Sequence, residues 1–195
     1  MHVLATIAIV LATVVPPGEK VTIDVVTVNG TGCPRGSAVV AVSPDNTAFT
    51  LNLEEMVAAA GKLARPGDAR RSCTFNLRMR ATGGYELGIE RAVYRGWGQI
   101  ERGAVGTARP QHYFQGSPGL PGMPRRFPGP FSDDWEITDD TPREPSCDTP
   151  RNLVVTIELG MSAGTSDPKT TSYLGMGSSD GSLPTVYRLL WKRCP

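Results

Sequence analysis

The chain predicts an all-β fold: an antiparallel β-sandwich of about eight to ten strands with one short helix and two disulfides. Three observations lead there. Apolar residues recur at every second position over much of the 195 residues, helical spacing is almost absent, and four widely separated cysteines punctuate the sequence. Period-two alternation gives each strand one dry and one wet face, which suits antiparallel sheets packed face to face.

The clearest strand is Thr74–Arg80, with Phe75, Leu77 and Met79 on one side and Asn76, Arg78 and Arg80 on the other. Asn152–Leu159 repeats the pattern, with Leu153, Val155, Ile157 and Leu159 inward. Tyr187, Leu189 and Trp191 form the inward set of a last strand, and Val21, Ile23 and Val25 that of a first. Further strands are predicted at Ala38–Ser43, Thr47–Leu51, Tyr85–Tyr94, Gly98–Thr107 and Gln111–Gln115, with Trp135–Thr138 the least marked. In Tyr85–Tyr94 the inward parity switches from Tyr85, Leu87 and Ile89 to Ala92 and Tyr94, which predicts a bulge near Glu90–Arg91. Asn29-Gly30, Pro44-Asp45-Asn46, Gly83-Gly84 and Asp180-Gly181 supply the turns.

The one predicted helix covers Leu53–Ala60: Asn52 caps it, Glu55 stands three residues on as in a capping box, and Gly61 ends it. Gly116–Pro130 is rich in Pro and Gly without a strict triplet repeat and reads as a surface loop. Asp139–Pro150 is a second, polar loop. Residues 16–195 therefore form one domain.

Residues 1–15 are apolar and free of acids, and the run Val3–Val15 is too short to span a bilayer. It reads as a signal peptide with cleavage possible after Ala12, although no Lys or Arg precedes the run. Cys33, Cys73, Cys147 and Cys194 form no CxxC motif, so zinc and dithiol redox chemistry are poorly served. Four such cysteines behind a leader point to two disulfides and an extracellular, secreted protein. Of the three possible connectivities, strand layout favours the one made of Cys33–Cys73 and Cys147–Cys194. Pairing the first strand against Thr74–Arg80 brings Cys33 to Cys73, and pairing Asn152–Leu159 against Thr185–Arg193 brings Cys147 to Cys194. Each closes a loop of forty-odd residues, contributing about 4 kcal/mol by chain entropy.

Twenty Lys and Arg stand against nineteen Asp and Glu, a net charge of +1, which offers no global field for nucleic acid or an anionic membrane. A polyanion would need a local patch, yet Arg70–Arg71, Arg125–Arg126 and Lys192–Arg193 are scattered pairs that read as solvated surface.

Several blocks, in order, resemble the exported bacterial and fungal proteins grouped as domain of unknown function 4360. They run from Val21-Thr-Ile-Asp-Val-Val-Thr-Val-Asn-Gly-Thr-Gly-Cys-Pro34 through Val42-Ser-Pro-Asp-Asn-Thr-Ala-Phe-Thr50 and Cys73-Thr-Phe-Asn-Leu77. Tyr113-Phe-Gln-Gly116, Gly129-Pro-Phe-Ser-Asp-Asp-Trp135 and Trp191-Lys-Arg-Cys-Pro195 complete the match. The resemblance implies an exported domain with paired cysteines and brings no activity with it; His112 departs from the aromatic or neutral polar residue it leads one to expect.

The chemistry is narrow. His2 and His112 are the only histidines and His2 lies in the leader, so a two-histidine zinc site is excluded, and no GxSxG elbow presents a serine to His112, which reads as an outward-facing strand residue. Asp133 and Asp134 beside Trp135 are the candidate catalytic acids of a glycan-directed, carboxylate-dependent hydrolase. Neighbours on a strand point to opposite faces, however, so these two converge only through a turn or bulge. Asp133, Asp134, Asp139 and Asp140 are candidate calcium ligands, the one cofactor the sequence suggests, without an EF-hand pattern. Trp97, Tyr113, Phe114, Phe127, Phe131 and Trp135 gather in the middle third, where aromatics stack on sugars, fill a partner's pocket or build core. Asn29-Gly30-Thr31 is a glycosylation acceptor if the source is eukaryotic. The leading reading is a non-catalytic secreted domain binding an extracellular polymer or protein through these aromatics, Trp97, Phe127 and Trp135 foremost. The hydrolase and a purely structural envelope protein are the alternatives.

Overall fold

The computed structural model describes residues 18–34, 36–53, 55–117, 122–177 and 184–195. The leader and the Asp180-Gly181 turn lie outside them. The described residues form twelve strands: β1 Val21–Asn29, β2 Ala38–Val42, β3 Ala48–Leu53, β4 Val57–Gly61, β5 Arg70–Ala81 and β6 Tyr85–Ile100. The remainder are β7 Val105–Phe114, β8 Arg125–Pro128, β9 Phe131–Asp139, β10 Leu153–Ser162, β11 Thr171–Met176 and β12 Thr185–Arg193. Five form one antiparallel sheet in the order β1-β5-β10-β7-β8, and seven the other, β2-β3-β12-β6-β11-β4 with β9 also on β6. Among the described residues no helix is long and apolar enough to cross a membrane.

The inward rows meet as their alternation dictates. Phe75, Leu77, Leu153, Val155 and Ile157 from the first sheet are fully buried, as are Phe49, Ile89 and Tyr187 from the second. The parity switch on β6 is a bulge: Arg188 of β12 faces Arg91, Leu189 faces Ile89, and Glu90 is skipped. Asp45 stabilises the turn between β2 and β3, its carboxylate held below the usual range by hydrogen bonds from the Ser43 and Thr47 hydroxyls and the Thr47 amide.

Several expectations are corrected. No helix forms at Leu53–Ala60: Val57–Gly61 is an edge strand on β11, with Ala58 and Ala59 buried. Helix propensity is a weak bias, and the small alanines pair and pack better here than they would coil. The predicted strand Gly98–Thr107 is two. β6 runs on to Ile100, then a turn closed by Ala104 N–H donating to Glu101 O (3.0 Å), with Gly103 at φ +88°, reverses the chain into β7. β7 in turn absorbs the separate strand predicted at Gln111–Gln115. Val25 is 45 % exposed rather than inward, because β1 is an edge strand whose pairing with β5 slips between Val25 and Thr27. Part of the Pro/Gly loop, Arg125–Pro128, is β8, which buries Phe127.

Both favoured disulfides form, with Cα separations of 5.6 Å for Cys33–Cys73 and 5.5 Å for Cys147–Cys194. The first follows the predicted β1–β5 pairing. The second arises differently, since β10 pairs with β5 and β7 while β12 pairs with β3 and β6. Cys147–Cys194 therefore joins the approach to the five-stranded sheet to the end of the seven-stranded one.

His112 is the sharpest correction. It points inward and is 2 % exposed, not solvent-facing. Its Nδ1 lies 2.8 Å from the Tyr94 hydroxyl, and its ring meets Tyr187 edge-on at 5.8 Å, so a β7 side chain joins the Phe49–Tyr187–Tyr94 aromatic cluster of the other sheet. Arg143 closes this end: its main chain exchanges both hydrogen bonds with Ile89, its guanidinium pairs with Asp139 at 3.1 Å, and its Nε donates to His112 O. Burial pushes the imidazole down to about 4, opposed by Asp139 and aided by Arg143.

Two measurements follow. His112 stays neutral in the fold and charges in the unfolded chain, so its contribution is complete above pH 6.5 and is lost as pH falls toward 4. Urea unfolding across that window should lose up to about 3 kcal/mol of stability, and His112→Phe should flatten the dependence. Leu153→Ala, at a site with no exposure, should lower stability by about 2–5 kcal/mol in the same assay.

Candidate functional site

β6 carries its chemistry on the outer face. Tyr94, Gly96, Gly98 and Ile100 point into the sandwich, so Val93, Arg95, Trp97 and Gln99 face solvent. On one flank Gly175 of β11 lies opposite Trp97, and on the other Asp134 of β9 does. A Cβ on Gly175 would meet Trp97 Nε1 at 2.5 Å, so the missing side chain is what lets the indole lie down against the sheet. Trp97, Gln99, Ser132, Asp133 and Asp134 border an open groove of about 350 Å³ over Gly98.

The two acids behave as strand neighbours. Asp134 shares the outer parity of Trp97, and Asp133 that of buried Trp135. Because β9 pairs with β6 alone among the described strands, both nevertheless border the groove and both are exposed. The Asp133 carboxylate accepts a hydrogen bond from the Asp134 amide at 2.8 Å. The other two calcium candidates are elsewhere: Asp139 pairs with Arg143, and Asp140 with Arg91 at 2.9 Å. Among the described residues no group of three or more such side chains could hold a metal ion.

The remaining aromatics divide by parity. Trp135 is 6 % exposed and covers Gly96 on the inner side, its Nε1 donating to Trp97 O at 3.2 Å. Phe127 of β8 packs against Phe131 at 5.6 Å and Trp135 at 5.4 Å, closing the two sheets on each other. Phe127 and Trp135 are thus core and leave Trp97 as the aromatic that faces the groove. Phe114 is buried too, and Tyr113 lies on the outer face of the five-stranded sheet, away from Trp97. Gln99 and Ser132 were not singled out from the sequence, although extending the β6 alternation past Tyr94 puts Gln99 beside Trp97. Asn29 is exposed at the end of β1.

A secreted-type, disulfide-linked β-sandwich with a polar, tryptophan-bearing groove is the class these features define. The chain belongs to the family described as domain of unknown function (DUF4360), which it matches over residues 19–194. A relative from Arthroderma benhamiae (strain ATCC MYA-4681 / CBS 112371), an uncharacterized secreted protein, is 28 % identical over 181 residues, covering 92 % of this chain and 74 % of its own. With two disulfides in the fold, the chain is an extracellular protein. Among solved structures, the enzymatically active domain of bacteriophage CBA120 tailspike protein 4 overlaps 90 % of the chain at 10 % identity and a TM-score of 0.29. The chain spans 19 % of that structure's chain.

Gly96 and Gly175 separate core from groove in one experiment. A Cβ at Gly96 would meet Trp135 at 2.1 Å and Gly175 O at 2.2 Å. Gly96→Ala should therefore destabilise by about 3 kcal/mol, and Gly175→Ala by about 1 kcal/mol while lifting Trp97 into solvent. Denaturant unfolding and acrylamide quenching of tryptophan emission read the two effects.

Proposed function

We propose that this protein is a non-catalytic extracellular domain that binds a neutral, hydroxyl-rich polysaccharide in the groove of Trp97. The observation that carries the reading is the indole lying against Gly175 directly across from Asp134, with Gln99 and Asp133 at the groove edges. A flat aromatic face offers an apolar platform to a sugar ring. Ionised carboxylates only accept hydrogen bonds, so Asp133 and Asp134 call for a ligand rich in donors, and the Gln99 amide both donates and accepts.

The geometry favours binding over hydrolysis. A glycosidase needs one carboxylic acid kept protonated by an apolar, water-poor setting, and both acids here stand in solvent. An open groove in a rigid sheet suits recognition of an extended chain, with water mediating part of the contact.

Correctly oxidised protein should be retained on insoluble glucan, chitin or cellulose, and Trp97→Ala should weaken retention at least tenfold. Asp133→Asn and Asp134→Asn should each weaken it several-fold. No retention on any neutral polymer, or retention indifferent to Trp97, overturns the proposal. Sugar release that both Asp→Asn changes abolish without loss of fold replaces it with the hydrolase.

A further inference from the structure

The outer face of the five-stranded sheet gathers what is scattered in the sequence. Register places Arg70 of β5 opposite Gly160 of β10, Gly160 opposite Thr107 of β7, and Thr107 opposite Arg126 of β8. These four make one row across four strands. The next row holds Ser72, Glu158 and Arg109. With Arg78 and Arg80 further along β5, this face carries five arginines against two carboxylates, Asp24 and Glu158, in a chain whose net charge is only +1.

The rows are also concave. A depression of about 510 Å³ lies over Arg70, Ser72, Thr107, Arg109 and Gly160, and a second of about 300 Å³ continues it to Arg126 and Ser162. Gly160 leaves room in the floor for the Thr107 side chain: a Cβ there would meet Thr107 Oγ1 at 2.6 Å, and that hydroxyl donates to Gly160 O at 3.4 Å. The arginines are not equivalent. Arg71 is tied to Asp68 at 2.6 Å and to Val57 O at 3.2 Å, and Arg109 pairs with Glu158 at 3.5 Å. Among the described residues no carboxylate reaches Arg70 or Arg126 within ion-pairing distance.

We propose that this face is a second binding site, for an extended polysaccharide bearing carboxylate or sulfate groups. Arg70 and Arg126 stand three interstrand steps apart, about 14 Å between their main chains, so together they address two charges on one extended ligand rather than one small anion. Guanidinium forks match both anion geometries bidentately. Between them lie the Thr107 hydroxyl and the Gly160 backbone, with the Ser72 hydroxyl in the adjacent row, and these suit sugar hydroxyls. These two rows hold no aromatic on which a base could stack, which disfavours single-stranded nucleic acid. The site is independent of the Trp97 groove, which lies on the outer face of the other sheet.

Affinity of the intact oxidised protein is measured by calorimetry for polygalacturonate and for dextran sulfate, which separate the carboxylate source from the sulfate source. Uncharged dextran and single-stranded DNA are the controls. At least one charged polysaccharide should bind, more weakly as salt rises, and Arg70→Glu and Arg126→Glu should each reduce its affinity at least tenfold. Arg70→Gln and Arg126→Gln should show smaller losses in the same direction, with near-ultraviolet circular dichroism reporting that each variant is folded. Arg188→Glu on the other sheet should change the affinity less than twofold, and the losses at Arg70 and Arg126 should persist when measured in the Trp97→Ala background, so failure here and failure of the Trp97 proposal are distinguishable. Binding to neither charged polymer, binding indifferent to the Arg70 and Arg126 reversals, or DNA bound as tightly as the polysaccharide overturns the proposal.

Discussion

The burial of one row of apolar side chains from each sheet is the constraint from which the rest of the structure follows. Phe75, Leu77, Leu153, Val155 and Ile157 have to leave water together, and a strand alternates its side chains strictly, so their neighbours have to face out. Slipping β10 by one residue would bury Thr156 and Glu158 and expose Leu153 and Ile157. Register is therefore fixed by the interior, and the outer rows inherit it. The line from Arg70 to Arg126 is a by-product of hydrophobic burial on the opposite side of the same four strands.

Glycines set the second constraint, which is local. Large indoles lie flat only where a sheet offers no Cβ, and β6 and β11 provide that on both sides. Gly96 seats Trp135 within the core, while Gly175 seats Trp97 outside it. One short stretch of paired strands thus builds a core anchor and a surface platform back to back, joined by the Trp135 Nε1 bond to Trp97 O. The two sheets are then tied at one end by Phe127, Phe131 and Trp135, and elsewhere by the His112–Tyr94 hydrogen bond and the Cys147–Cys194 bridge.

The readings that failed share a cause. Leu53–Ala60 has helical composition, but an alanine segment takes whichever partner the fold supplies, and β11 was waiting as an unpaired edge. His112 reads as exposed because polar residues in strands commonly are. Its burial depends on Tyr94, eighteen residues away, and on Arg143 across the end of the sandwich. Cys147 and Cys194 meet without the ladder between β10 and β12 that their positions suggest, because Cys194 directly follows β12 while Cys147 sits in the loop before β10, and different strand layouts can bring the two together. The aromatics of the middle third could be found but not sorted, because facing in or out at Phe127 required knowing that the Pro/Gly loop contains a strand.

From its own residues the sequence determined the period-two rows, the bulge at Glu90, the four cysteines and the charge balance. These are properties of near neighbours along the chain and need no partner to be defined. The tertiary structure alone decided which strands adjoin, and with that whether Arg70 and Arg126 share a row, whether Trp97 or Trp135 meets solvent, and where His112 is buried. Such pairings join residues tens of positions apart, and only the mutual burial of two whole sheet faces selects among them.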